Sequence, residues 1–213
     1  MRRIYSLMGA ALLLGCTDAS SSSTTEPRLT GAVVTGGASH DRQGFGDDHG
    51  EKRLILTKLS ADEEPLITNV TPNITVTSPG HGTAHVRLAK DGESMDFVLV
   101  VNNVTNIVQA HIHMAAKGVN GPIVVWLYPS VTATTALTGP TGEHHGLLAQ
   151  GTFTAANLRG PLAGQPLSAL VAAIAAGNTY VNVHTNDGVA PNNTGPGDFS
   201  GGELRGQLDR NGH

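Results

Sequence analysis

Residues 107–114 read Ile-Val-Gln-Ala-His-Ile-His-Met and alternate between apolar and polar side chains. Successive side chains of a β-strand point to opposite faces of the sheet. The apolar Ala110 and Ile112 would therefore face the interior, whereas His111 and His113 would lie together on the other face. The stretch predicts a half-buried strand that carries two histidines on its polar side.

Two later segments show the same alternation. In Tyr-Val-Asn-Val-His-Thr, Asn182 and His184 oppose two valines, and in Glu-Leu-Arg-Gly-Gln-Leu, Glu203 and Arg205 oppose two leucines. The apolar side of each strand must face the core. If the three strands are neighbours in the sheet, we expect their polar sides to form one patch.

The histidines in this patch have the spacing of a metal site. Two histidines at i and i+2 of a strand lie about 7 Å apart at Cα, so both imidazoles can reach one ion. His184 would complete a three-histidine site, and imidazole is a ligand of zinc and copper. His144 and His145 lie in a Gly/Thr-rich segment predicted to be a loop and are candidates for a further ligand. The alternative is that these histidines are ordinary hydrogen-bonded groups.

Short β-rich runs separated by turn clusters continue through the chain from residue 53. Strands are predicted at 54–59, 73–77, 82–89, 94–101, 107–114, 122–128, 147–153, 180–185 and 203–209. Residues 90–93 (Lys-Asp-Gly-Glu) predict a hairpin turn, and residues 166–176 predict a short helix that covers one end of the β structure. About eight strands with one helix predict an all-β, antiparallel sandwich or barrel.

The N-terminal part of the chain has a different composition. Residues 4–15 (IYSLMGAALLLG) follow two arginines and are too short for a membrane-spanning helix of about 20 residues. This pattern is typical of a signal peptide over residues 1–15. The single cysteine, Cys16, follows at once, as in the bacterial lipoprotein signal, where the cysteine is lipidated after cleavage. We expect an exported protein, anchored by Cys16 in the outer membrane or at the cell surface, with a flexible linker at 16–51 and a domain at 52–210.

Composition excludes several classes of function. With 13 basic and 17 acidic residues and a net charge of −4, the chain has no basic stripe for nucleic acid. One cysteine permits neither an internal disulfide nor a cysteine-rich zinc site. The sequence contains no G-x-S-x-G motif, P-loop or dinucleotide fingerprint, which favours a protein without catalytic activity. Glu63 and Glu64, next to Pro65, are predicted to be surface charges.

Three blocks of the chain resemble the CHRD (chordin) domain family, in the family's order, over about residues 52–210. The blocks are Ala110-His111-Ile112-His113 with Gly118-Val119-Asn120-Gly121-Pro122-Ile123-Val124-Val125, then Gly177-Asn178-Thr179-Tyr180-Val181-Asn182-Val183-His184-Thr185, and Gly202-Glu203-Leu204-Arg205-Gly206-Gln207-Leu208. The resemblance implies a secreted, immunoglobulin-like Greek-key barrel with a faint similarity to copper/zinc superoxide dismutases. Those enzymes hold their metal on the outer face of the barrel beneath loops. The chain lacks their disulfide, and the family has no general assigned reaction.

Three functions remain open on this basis. The first is a lipid-anchored binding or structural module with a protein partner at the cell surface, favoured by the anchor, the linker and the missing catalytic motifs. The second is a copper or zinc protein that uses the three histidines, with Asn182, Glu203 and Arg205 around them. The third is a superoxide dismutase-like reaction in which Arg205 steers a small anion toward the metal.

Overall fold

A computed structural model describes residues 54–209 of the chain. The predicted signal peptide at 1–15, the predicted lipidation site Cys16 and the predicted linker at 16–51 lie outside the described residues. The fold within 54–209 consists mainly of strands. Their bounds are β1 Leu54–Ser60, β2 His81–Leu88, β3 Ser94–Thr105, β4 Ile107–His113, β5 Ile123–Tyr128, β6 Glu143–Thr154, β7 Thr179–Thr185 and β8 Leu204–Leu208, with helix α1 at Leu167–Ala175 and 3-10 turns at Ala61–Glu63, Ala155–Asn157 and Gly160–Leu162.

All eight strands belong to one antiparallel sheet in the order β5-β4-β7-β8-β1-β2-β3-β6. The edge strands β5 and β6 approach each other, so the sheet nearly closes into a barrel. This confirms the predicted all-β antiparallel class. The last two strands, β7 and β8, join β4 to β1, which makes β4, β7 and β8 direct neighbours.

The interior of the barrel is filled by the apolar side of each strand. Leu99, Ile112, Val183 and Leu204 are fully buried there, as the alternation predicted. Burial of such side chains is the main favourable contribution to folding. The opposite, polar sides of the same strands are therefore turned away from the core.

The predicted helix is confirmed and packs against this core. Leu167, Leu170 and Ile174 are its buried face. Pro166 precedes its first residue, and Gly177, which has a φ of +67°, follows its end. Within residues 54–209, no helix is long and apolar enough to cross a bilayer.

The hairpin at residues 90–93 is also confirmed. Ala89 and Ser94 are hydrogen-bonded across it, and Gly92 takes a φ of +77° that favours glycine.

The strand predicted at residues 73–77 was wrong. Residues 73–77 form no strand: Ile74 makes only an isolated bridge to Ile67, and Val76 packs against Phe199 in a small cluster outside the barrel. The apolar alternation in 73–77 is satisfied by burial under loops instead of by sheet pairing.

The loop predicted around His144 and His145 was also wrong, because both residues lie in strand β6. β3 continues past a register shift near Asn103 to Thr105, and this extension pairs with the start of β6. β3 is longer than predicted, and its last residues pair with the end of the Gly/Thr-rich segment. That end therefore forms the first part of β6.

Candidate metal centre

The polar sides of β4, β7 and β8 converge on the outer face of the barrel. The register aligns His111 of β4 with Asn182 of β7 and Arg205 of β8 in one row. The neighbouring row aligns His113 with Tyr180. The strands therefore have the adjacency that the sequence analysis required for a single patch.

His111, His113 and His184 form one compact cluster. One ligand atom from each ring lies within 4.8 Å of those of the other two. The ring centroids are 5.0 to 5.6 Å apart. Their exposed fractions are 0%, 7% and 5%, so the loops around the sheet bury the cluster almost completely.

The backbone fixes the protonation of His113. Its Nδ1 lies 2.9 Å from the carbonyl oxygen of Gly121, which can only accept, so Nδ1 carries the hydrogen. Its Nε2 then bears a lone pair. That atom is buried and has no hydrogen-bond partner among the described residues.

His184 is oriented in the same way. Its Nδ1 donates to the carbonyl oxygen of Ser200 at 3.0 Å, which leaves the lone pair on Nε2. This Nε2 lies 3.2 Å from Nδ1 of His111. Two nitrogens bound to one tetrahedral zinc at about 2.0 Å would be roughly 3.3 Å apart, so the pair has the spacing of two ligands of one ion.

Burial keeps the three imidazoles neutral. It lowers the pKa of His111 to about 2, with a further contribution from His184, and lowers the pKa of His184 to about 4, with a further contribution from His113. The pKa of His113 is also lowered by burial, against the opposing effect of its hydrogen bond to Gly121. Neutral imidazole is the form that binds metal.

Aromatic rings enclose the cluster on two sides. Trp126 lies edge-on to His111, with centroids 4.2 Å apart. Tyr180 stacks on His113 at 4.9 Å and 11°. These rings are held in place by sheet pairing, because Trp126 faces His111 from β5 and Tyr180 faces His113 from β7.

The profile of the CHRD domain matches residues 59–208. The chain belongs to the CHRD domain family. No curated protein and no solved structure matches it.

The matched region contains all three clustered histidines and their neighbours, so the cluster lies within the CHRD domain. Arg205 of the domain is fully buried, and its Nη2 donates to the carbonyl oxygens of Ala116 and Val119 at 3.0 Å each. The guanidinium thus holds the loop that follows β4. A role for Arg205 in steering an anion stays a prediction.

Asn182 and Glu203 have different positions in the CHRD domain. Asn182 lies between His111 and Arg205 in the central row. Glu203 is buried but lies among hydroxyl and amide groups, accepting from Thr185 Oγ1 at 2.6 Å and from the Gly197 amide at 2.7 Å. Its bonds hold the loop before β8 and do not reach a histidine.

His144 and His145 are not part of the histidine cluster. His144 Nε2 lies 3.1 Å from the Leu147 carbonyl oxygen, and His145 lies 3.1 Å from the Glu143 carboxylate. Both residues pair with the end of β3, and His145 Nδ1 accepts from the Asn103 amide at 3.2 Å. The structure therefore does not bring them to the site as further ligands.

Glu64 is a site residue that the sequence analysis missed. It was predicted to be a surface charge, but its side chain reaches over Gly202 to the Asn182 amide. Burial raises its pKa to about 8, and the nearby Arg205 charge and the Asn182 hydrogen bond oppose part of that rise. Nothing in the local sequence around Glu64 predicts that its carboxyl is buried beside Asn182. Its position depends on the path of the turn that follows β1.

Proposed function

We propose that the CHRD domain binds one zinc or copper ion through His111, His113 and His184. The observation that carries this proposal is the set of three buried imidazoles with ligand atoms within 4.8 Å of one another. One of the proposed ligand atoms, Nε2 of His113, is buried and has no hydrogen-bond partner within residues 54–209. A buried polar atom without a partner costs about 1–3 kcal/mol, and a bound metal ion would remove such a cost.

Two backbone carbonyl groups would orient the ligand nitrogens of His113 and His184. Gly121 and Ser200 accept from the Nδ1 atoms of His113 and His184 and so direct each Nε2 into the cluster. Hydrogen bonds of this kind are typical around metal-bound histidines. When bound, the metal would supply a Lewis-acidic centre with three nitrogen ligands.

The test is a metal titration of the full chain in detergent. After treatment with a chelator, the protein is titrated with Zn²⁺ and with Cu²⁺ by calorimetry, and the bound metal is counted by elemental analysis. We expect one ion per chain for at least one of the two metals, and a loss of this binding in His113→Ala. The double variant His144→Ala/His145→Ala is the matched control, because it removes two histidines outside the cluster. Equal metal uptake in His113→Ala and the wild type would contradict the proposal.

We further propose that this domain acts as an exported, lipid-anchored module at the cell envelope, where a protein partner can reach it. The support is the apolar stretch at residues 4–15 followed directly by Cys16. Stable anchoring needs more than one acyl chain. Labelling of cells with palmitate should mark the wild type and not Cys16→Ser. Equal labelling of both would contradict the anchor.

A further inference from the structure

We propose that Tyr180 is a positioning residue of the metal centre, which holds the ligand His113 in its metal-binding tautomer. The proposal rests on the proposed metal-binding function. Tyr180 is fully buried and lies directly beside His113 in the register of β4 and β7. It acts on His113 by two routes, one through hydrogen bonds and one through its ring.

The first route runs through Gly121. The amide of Gly121 donates to the Tyr180 hydroxyl at 3.1 Å, and the carbonyl of the same residue accepts from His113 Nδ1 at 2.9 Å. The phenol oxygen therefore anchors the residue whose carbonyl determines which imidazole nitrogen is protonated. Without that acceptor, the Gly121 amide would lose its hydrogen bond in a partly buried place.

The packing around Gly121 leaves little freedom for another arrangement. A Cβ atom at this position would clash with the Met114 carbonyl oxygen, so that only glycine fits without a shift. The Met114 amide donates to the Pro122 carbonyl oxygen at 3.0 Å. The backbone at the end of β4 thus approaches Gly121 on one side, and Tyr180 holds it from the other.

The second route runs through the ring of Tyr180. Its plane is inclined by 11° to that of His113, with 4.9 Å between centroids. Arg205 Cζ lies 3.4 Å from the centroid of the same ring. Because β4 and β8 flank β7, the phenol ring lies between the imidazole and the guanidinium. Arg205 in turn binds Ala116 and Val119, in the loop that leads to Gly121.

The hydroxyl and the ring can be separated by substitution. Tyr180→Phe keeps the stack and removes the acceptor for the Gly121 amide. We expect His113 to lose its single tautomer and to populate the Nε2–H form, in which the ligand nitrogen is blocked. Loss of a group that hydrogen-bonds a ligand histidine directly weakens metal binding by about 10- to 100-fold, and we expect the lower end of this range here because the Gly121 carbonyl itself is kept.

The experiment combines two readouts on the full chain. Nitrogen-15 NMR of the metal-free protein reports the tautomer of His113, and titration with Zn²⁺ and Cu²⁺ reports the affinity. We expect the Nδ1–H tautomer in the wild type, a mixture in Tyr180→Phe, and an affinity at least 10-fold lower in the variant. Tyr128→Phe is the matched control, because it removes a phenol hydroxyl from β5 and should change neither readout.

The outcomes separate this inference from the proposed function. If the wild type binds metal and Tyr180→Phe keeps both tautomer and affinity, or changes only one of them, the positioning role is wrong while metal binding stands. If the wild type binds neither metal, the proposed function fails, and the inference fails with it. Should Tyr180→Phe not fold, the metal-free wild type still decides. A His113 ring protonated at Nε2, or a Gly121 amide that exchanges rapidly with solvent, overturns the inference.

Discussion

Nδ1 of His111 lies 3.2 Å from Nε2 of His184, although 73 positions separate the two residues in the chain. The contact exists because β7 is inserted beside β4 in the sheet. Since His184 Nδ1 donates to Ser200, its Nε2 is an acceptor directed at His111. In the absence of metal, His111 must donate to it. In the proposed metal-bound state, His111 would offer the lone pair of Nδ1 to the ion, and its proton would lie on Nε2 instead.

Opposite faces of β7 should respond differently to substitution. Val183 is fully buried in the core, so Val183→Asp should place a charge there and cost on the order of 4 kcal/mol, enough to unfold a marginal domain. His184→Ala removes a hydrogen-bonded ring on the other face and should cost only about 1–2 kcal/mol. Urea denaturation of both variants measures the difference. Equal destabilisation would show that the two residues do not occupy opposite faces in the way described.

Metal should stabilise the folded domain. An ion that binds only the folded state adds about 2.7 kcal/mol to the free energy of unfolding at a concentration of 100 Kd. We therefore expect thermal unfolding of the chelator-treated chain to shift to higher temperature on addition of the metal that binds, and to shift back on addition of chelator. His113→Ala should show no shift. A shift of the same size in that variant would place the binding elsewhere.

The metal-free domain should lose stability as the pH falls below about 6.5. The folded-state pKa values of His111 and His184 are lowered to about 2 and about 4, whereas an unfolded histidine titrates at about 6.5. Between these values the unfolded state binds more protons, so the stabilising contribution is complete above 6.5 and is lost as the pH falls toward the folded-state values. Urea denaturation across pH 4.5 to about 7 measures this slope.

Glu64 acts on the same measurement with the opposite sign and needs its own control. Its folded-state pKa is raised to about 8, so its contribution is complete below the unfolded value of 4.5 and is lost as the pH rises toward 8. Glu64→Gln removes this effect, and the histidine slope should be clearest in that variant. A Glu64→Gln protein whose stability is constant below pH about 6.5 would contradict the histidine prediction.

Most of the fold could be predicted because alternation is a local property. Each strand carries its own division into an apolar and a polar side, as in residues 107–114, and burial of the apolar side requires no knowledge of distant residues. The helix over 166–176 was predicted by the same reasoning at a different period. The failure at 73–77 has a physical reason too, because an alternating segment can bury its apolar side chains under loops as well as in a sheet.

The candidate site was predictable only in part. His111, His113 and His184 could be selected because each stands opposite apolar neighbours in its own strand. Tyr180 shares a face with His184 by the same rule, but nothing local indicates that its ring stacks on His113. The burial of Glu64 could not be predicted, because the position of its side chain depends on how residues 61–79 pack.

The amino-acid sequence alone determined most of the strands, the side of each that faces the core, and the three histidines on the outer side. The tertiary structure decided that β4, β7 and β8 are neighbours and that loops cover the histidines. It also decided that Gly121 and Ser200 direct the Nε2 atoms of His113 and His184 into the cluster. The physical reason is range. Side-chain alternation follows from backbone geometry over a few residues, whereas strand order and loop contacts depend on the packing of segments far apart in the chain.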